Sequence, residues 1–274
     1  MEIIMEIKSL FANGKEKAFT MSYDDGNYDG DKQLIAIFNK YGIKGTFHLN
    51  GHNYVPGGWA YDKVDELKKL YSGHEVSMHG YTHPFFNSLP NGEKFFELYE
   101  DKKALEGFAG YPIRGMSYPF GDYDDKTLDM MTDLGINYSR TVRSTHRFDI
   151  PRNFKLWDPT NHHADKAFEM LENFKNYSYK STPPLFYMWG HSYEYNKENA
   201  SFTWDDLDRF CAEISKLGDV WFATNIEIFD YVTALRRIEM SIDRKMIYNP
   251  SALSVWLCID GQKTEIKPGV VTNL

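Results

Sequence analysis

Along most of the chain, short apolar runs alternate with stretches whose apolar residues recur three and four apart, the rhythm of strand and helix in turn. The pattern predicts strands over Lys17–Ser22, Gly45–Leu49, Glu75–Met78 and Arg114–Tyr118, then near Tyr138, over Leu185–Trp189 and over Val220–Ala223. Between them it predicts helices over Asp31–Tyr41, Tyr61–Tyr71, Glu93–Phe108, Asp125–Leu134, Asp165–Tyr177, Trp204–Leu217 and Ile226–Ile238. Leu34, Ile37, Phe38 and Tyr41 share one face of the first helix, and Gly42 supplies its stop. Such alternation favours a parallel sheet, open or closed into a barrel. From Met240 the rhythm changes to short strands with turn residues at Asn249–Ser251 and at Asp260-Gly261, and SVWLCIDGQKTEI reads as a hairpin. We expect one α/β unit over residues 1–238 and a small β appendage over 239–274, packed on it without a long linker.

Composition narrows the function more than the fold. The 274 residues, 42% hydrophobic, suffice for one large core. A formal charge of −8 with no block of Lys or Arg argues against a nucleic-acid surface. No apolar run is long enough to span a bilayer, and MEIIMEIKSLFANGKEKAF lacks a signal-peptide pattern, so the chain, if whole, is expected in the cytoplasm. Cys211 and Cys258 match no metal-binding spacing and read as buried thiols.

Three segments that follow predicted strands carry chemistry, and active sites of parallel α/β folds gather at the carboxyl ends of strands. The first is SYDDG, Ser22 to Gly26. Of two adjacent carboxylates there, one can hold a cation while the other accepts a proton from water, and Gly26 lets the chain turn. Taken alone, Asp-Asp-Gly is an ordinary turn. The second is HGYTH, whose His79 and His83, four apart, would lie on one side of a helical turn and offer two imidazole nitrogens to zinc. The third is LFYMWGHSYEY, where His191 at a strand end can act as a general acid.

An aspartate pair, then GHEVSMHGYTHP, then SYPFG, then a late histidine together resemble the polysaccharide deacetylase family, the NodB-homology or carbohydrate esterase family 4-like enzymes, from about Lys17 to Val232. The resemblance implies a distorted, seven-stranded (β/α) barrel and a metal-dependent hydrolase removing N- or O-linked acetyl groups from an oligo- or polysaccharide. It implies Asp24 as catalytic base, with Asp25, His79 and His83 as ligands of a divalent ion, Zn2+ by the family's habit. It further implies the backbone N–H of Phe120 as an oxyanion donor and His191 as general acid. Two departures stand out. Ser117 occupies the place of an arginine that orients the base, leaving Arg114 or Arg140 (or Arg143) to substitute, and Gly80 replaces a Ser or Thr. LWDPTNHH resembles the family's Asp/Trp-containing fourth motif only loosely: Trp157 is a candidate to line a sugar groove, Asp158 to tune the arginine or the acid, and His162 and His163 to touch the site, with a loop of ordinary hydrogen bonds as the equal alternative; Trp189 is a second candidate for the sugar. His48, His52, His74 and His146 receive no chemical role, and Trp59 and Trp204 are candidates for stacking on sugars that rank behind core or rim packing. The rival functions are an allantoinase-like hydrolase of a cyclic amide or imide, and a catalytically degenerate carbohydrate-binding protein.

Overall fold

The computed structural model describes residues 6–179 and 181–274. Residues 1–5, the beginning of the segment read for a signal peptide, lie outside them. In chain order the strands are β1 (Ile7–Leu10), β2 (Lys17–Asp24), β3 (Gly45–Leu49), β4 (Glu75–Met78), β5 (Gly115–Ser117), β6 (Tyr138–Arg140), β7 (Asn161–His162), β8 (Leu185–His191), β9 (Val220–Phe222), β10 (Glu239–Met240), β11 (Met246–Tyr248), β12 (Val255–Ile259), β13 (Gln262–Ile266) and β14 (Val271–Asn273). The α-helices are α1 (Tyr28–Tyr41), α2 (Val64–Leu70), α3 (Asn91–Ala109), α4 (Asp125–Asp133), α5 (Ala167–Lys175), α6 (Trp204–Ile214) and α7 (Asn225–Arg236).

The main sheet runs β6-β5-β4-β3-β2-β8-β7, with β9 paired to the start of β2, and every pairing in it is parallel. These seven strands in sequence form the barrel the family resemblance implies, and β9 adds an eighth. Closure comes from a segment without a strand-like sequence signal. Trp157 N–H donates to Ser139 O at 3.0 Å and Thr141 N–H to Trp157 O at 3.0 Å, while Thr160 N–H reaches Tyr187 O at 2.8 Å. Residues 157–163 thus join the β6 edge to the β8 edge.

Every residue of β2 is buried, as a parallel strand covered on both faces requires. The strand alternates all the same. Phe19, Met21 and Tyr23 enter the large apolar cluster, while Thr20, Ser22 and Asp24 make polar contacts. Below the site this polar set is fully partnered: Thr20 donates to Asn225 at 2.8 Å, Asn225 to Tyr187 at 2.6 Å, and Tyr138 to Glu75 at 2.6 Å. Burial pushes the Glu75 carboxyl up to about 7, against the hydrogen bonds from Tyr138, Ile226 N–H and Thr46.

The predicted C-terminal strands form two three-stranded antiparallel sheets, β10-β11-β14 and β1-β12-β13, and the hairpin of β12 and β13 turns at Asp260-Gly261. The N-terminal strand β1 enters the second of these, pairing with β12 from Ile7↔Ile259 to Leu10↔Trp256. A second apolar cluster joins Val255, Leu257 and Ile266 to Phe11, Tyr231 of α7 and Trp157. Among the described residues no helix is long and apolar enough to cross a membrane.

Candidate active site

Strand register gathers the polar residues at one end of the barrel. Asp24 ends β2 and lies beside His48 of β3 and His191 of β8. Ser117 ends β5 beside Arg140, the end of β6, and His79 follows the last residue of β4. Asp24, Asp25, His79, His83, Phe120, Trp189 and His191 line one cavity of about 270 Å3.

Asp25 Oδ1 is 3.5 Å from His79 Nε2 and 3.5 Å from His83 Nε2, and one donor atom from each of the three residues lies within 4.8 Å of the others. The histidines do not share a helical turn. The loop between them is irregular, with Gly80 at φ +75° and His83 at φ +60°. That backbone explains Gly80: a Cβ there would meet Pro84 Cδ at 2.9 Å, so a Ser or Thr would be both strained and crowded. Asp25 (φ +73°) and Phe120 (φ +57°) are also left-handed, so three residues of this one site hold a conformation that costs energy and concentrates at functional places. Gly26 (φ +67°) makes the turn expected of it, and its missing Cβ leaves room for Leu49, which would lie 2.8 Å away.

The hydrogen bonds assign the His79 tautomer. Ser117 Oγ donates to Asp24 Oδ1 at 3.1 Å, so its lone pairs face His79 Nδ1 at 2.7 Å, and Ser117 O lies 3.0 Å from the same nitrogen. Nδ1 therefore carries the proton, and the Nε2 lone pair points at Asp25. Burial pushes the His79 imidazole down, which keeps it neutral as a ligand must be. Asp101 of α3 fixes the adjoining backbone, accepting from His79 N–H at 3.1 Å and Gly51 N–H at 2.7 Å. A carboxylate oxygen and two neutral imidazole nitrogens suit a divalent ion of the zinc kind.

The arginine question has a geometric answer. Arg140 is fully buried; its Nη2 donates to Asp24 Oδ2, its Nη1 to Thr141 O at 3.0 Å, and its guanidinium lies 3.9 Å over the Trp189 ring. Arg114 is elsewhere, in a bidentate pair with Asp230 at 2.8 and 2.6 Å, and Arg143 pairs with Asp158. Burial works against ionisation of Asp24, but Arg140, His79 and His48 outweigh it and hold its carboxyl well below the usual carboxylate range.

His191 faces the cavity with Nε2 3.8 Å from Asp25 Oδ2. Behind it, Glu194 Oε2 stands 3.3 Å from Nδ1, close in charge though not aligned as a hydrogen bond. Burial disfavours the imidazolium, but Glu194, Asp24 and Asp25 prevail and raise His191 above its ordinary value. Glu194 also meets His162 Nε2 at 2.9 Å, His163 Nε2 at 3.4 Å and Lys197 at 3.1 Å. His162, His191 and Glu194 thus form a second trio whose donor atoms lie close enough for a cation. The sequence reading missed Glu194; the only available signal was an acidic residue three positions past a strand-end histidine.

Two expectations require correction. Trp157 lines no groove: it is 1% exposed and packs against Tyr138, Phe154 and Tyr187 beneath the barrel. Asp158 tunes neither the site arginine nor the acid, because Arg143 and Thr141 occupy it. Trp189 does border the cavity, and Phe120 presents its ring to His83 at 4.4 Å and stacks on Phe85 at 3.8 Å. His52, His74 and His146 make local contacts to Tyr81 O, Gly45 N–H and Asp165.

Comparison with known proteins points the same way. The sequence model of the family described as polysaccharide deacetylase matches residues 12–139. Over 117 residues the chain is 30% identical to chitin deacetylase 1 of Cryptococcus neoformans, covering 42% of this chain and 24% of that one. It is 26% identical over 131 residues to a chitin deacetylase of Colletotrichum lindemuthianum, covering 47% and 52%. The chain therefore spans between a quarter and about half of these curated relatives. In three dimensions it resembles a Mycobacterium smegmatis protein assigned as a polysaccharide deacetylase, with TM-score 0.62, 18% identity, and 84% and 94% of the two chains covered. A Bacillus anthracis pseudoenzyme of carbohydrate esterase family 4 shares the fold too, with TM-score 0.53, 17% identity, and 78% and 66% covered. The segment that matches the polysaccharide deacetylase model, residues 12–139, is the one that carries Asp24, Asp25, His79 and His83.

Proposed function

We propose that this protein is a metal-dependent hydrolase that removes acetyl groups from a carbohydrate. The observation that carries the proposal is the convergence of the Asp25, His79 and His83 donors with an arginine-paired carboxylate, Asp24, and a carboxylate-backed imidazole, His191, in one cavity. Fold alone would not support it, since a pseudoenzyme shares the architecture. The degenerate-binder reading has no use for this donor set.

A divalent ion held by Asp25, His79 and His83 would supply Lewis acidity toward the acetyl oxygen and toward water. The chain's own groups do the rest. Asp24, kept ionised and oriented by Arg140 and Ser117, accepts the proton of the attacking water. The Phe120 N–H donates to the oxygen that becomes negative, and one such donor contributes about 3–4 kcal/mol in comparable sites. His191, protonated against Glu194, passes its proton from Nε2 to the departing amine or alcohol as the acyl bond breaks, releasing acetate. Asp24 and His191 end neighbouring strands and approach different members of the ligand set, Asp24 Oδ2 lying 3.7 Å from His79 Nε2 and His191 Nε2 3.8 Å from Asp25 Oδ2.

The experiment is elemental analysis of wild type and His79→Ala, run beside acetate release from acetylated chito-oligomers, acetylxylan fragments and cyclic amides. One divalent ion per chain, lost with His79, and acetate from a sugar substrate are expected. A wild type that binds no divalent ion when supplied with it refutes the mechanism. Turnover of ring amides alone selects the allantoinase-like reading.

A further inference from the structure

Three imidazoles converge on one oxygen of Glu194. His162 Nε2 lies 2.9 Å from Oε2, His191 Nδ1 3.3 Å and His163 Nε2 3.4 Å. The other oxygen, Oε1, accepts from Lys197 at 3.1 Å, and Oε2 already accepts from His191 N–H at 3.3 Å. A carboxylate oxygen offers about two lone-pair directions, so the ring nitrogens outnumber what this one can accept. The surplus is real: His191 Nδ1 is buried with no hydrogen-bond partner. The arrangement is also built. The buried His163 ring stacks on Tyr195 at 4.5 Å, and a Cβ at Gly190 would stand 1.9 Å from His163 Nδ1, so the strand gives up a side chain to admit this ring.

His162, His191 and Glu194 each offer one donor atom within 4.8 Å of the others, and their side chains, 22%, 21% and 19% exposed, leave an ion a way in. Two imidazole nitrogens and a carboxylate oxygen repeat the donor chemistry of Asp25, His79 and His83. His191 stands between the two sets, with Nε2 toward Asp25 and Nδ1 toward Glu194. The set behind it is the weaker. His162 Nδ1 accepts from Ala164 N–H at 3.2 Å, so its proton sits on Nε2 and faces Glu194. An ion on Nε2 moves that proton to Nδ1, forfeits the Ala164 bond, and must tolerate the Lys197 ammonium beside the same carboxylate.

We propose that His162, His191 and Glu194 form a second divalent-cation site, filled only by zinc in excess of the first ion, whose occupation silences the general acid. As an acid His191 carries a proton on each nitrogen. An ion on Nδ1 replaces one of them, and giving up the remaining Nε2 proton would leave an imidazolate, so the ring no longer serves a leaving group. The silencing rests on the deacetylase reading; the site does not. The test uses wild type, His79→Ala and His162→Gln, which keeps a donor toward Glu194 and removes the ligand, after matching their thermal unfolding. Equilibrium dialysis with elemental analysis counts zinc at one equivalent and in large excess, beside acetate release under both conditions. Wild type should hold one ion at one equivalent and a second in excess. In excess, His162→Gln should hold only the first and His79→Ala only the second. Excess zinc should cut acetate release by wild type at least about tenfold and leave His162→Gln unaffected. A wild type that takes up no second ion, or a second ion that His162→Gln retains, overturns the site. A second ion lost with His162, to which the wild-type rate is indifferent, overturns the silencing. The expected ion counts without acetate release from any substrate uphold the site and sink the deacetylase reading, and the silencing with it.

Discussion

Replacing Arg140 by methionine removes the charge that faces Asp24 and keeps most of the side-chain volume. Asp24 is 2% exposed and Arg140 is wholly buried, so water cannot take over the lost partner. Breaking a buried pair by deleting one member costs about 3–5 kcal/mol, because a carboxylate is left uncompensated. For 274 residues the unfolding entropy is about 0.6 kcal/mol/K, so a loss of ~4 kcal/mol lowers Tm by about 7 °C. Acetate release should fall about 10- to 100-fold, the range for groups that orient a site residue from behind. Arg114→Ala is the control: its pair with Asp230 has side chains 38% and 33% exposed, and should cost about 0–1 kcal/mol with no change in activity. The double variant Asp24→Asn/Arg140→Met removes both charges and should recover most of the stability but none of the activity. Calorimetric Tm and initial rates of acetate release read all three. Arg140→Met unfolding at the wild-type temperature, a double variant no more stable than the single, or Arg114→Ala matching Arg140→Met in activity would each refute this role of the buried pair.

Two further outcomes follow from the carboxyl groups of Glu75, which is buried, and Glu194, which is half-buried. Glu75, up at about 7 from an ordinary 4.5, holds a proton in the folded protein that the unfolded chain releases between those values. Stability from this group is present below pH 4.5 and declines as pH rises toward 7, by about 3 kcal/mol in all. Glu75→Gln mimics the protonated form: its amide can donate to the Tyr138 hydroxyl, which donates in turn to Ser77. The variant should melt about 5 °C above wild type at pH 8 and at the same temperature near pH 4; parallel Tm curves at all pH values would dismiss this account. Glu194→Gln weakens the support behind His191, so N-acetyl hydrolysis, with its poor leaving group, should drop about 100-fold, while an aryl acetate that departs unprotonated should be nearly unaffected. Equal losses on both substrates would make Glu194 a structural residue only.

The strand–helix rhythm was legible because parallel strands are buried runs and the helices carry one apolar face. β3 and β4 have the bounds read from the sequence, and the β12–β13 hairpin turns where Asp260-Gly261 stands. The aspartate pair, the two histidines and the late histidine were visible because each follows a strand, and parallel register carries strand ends to one rim. Other features depend on distances that no local pattern records. Trp157 looked like a sugar platform beside Asp158 and became core because residues 157–163 close the barrel and turn its ring under the strands. Arg114 and Arg140 were equivalent in sequence; the β5–β6 register places Arg140 level with Ser117, and Asp230 of α7 claims Arg114. Glu194 met His162, distant along the chain, only once β7 paired with β8. Local propensity and periodicity determined the elements and the rim on which chemistry gathers. Which charge meets which across that rim was decided by tertiary structure, because a buried ion pair depends on partners brought from separate strands into a space that water has left.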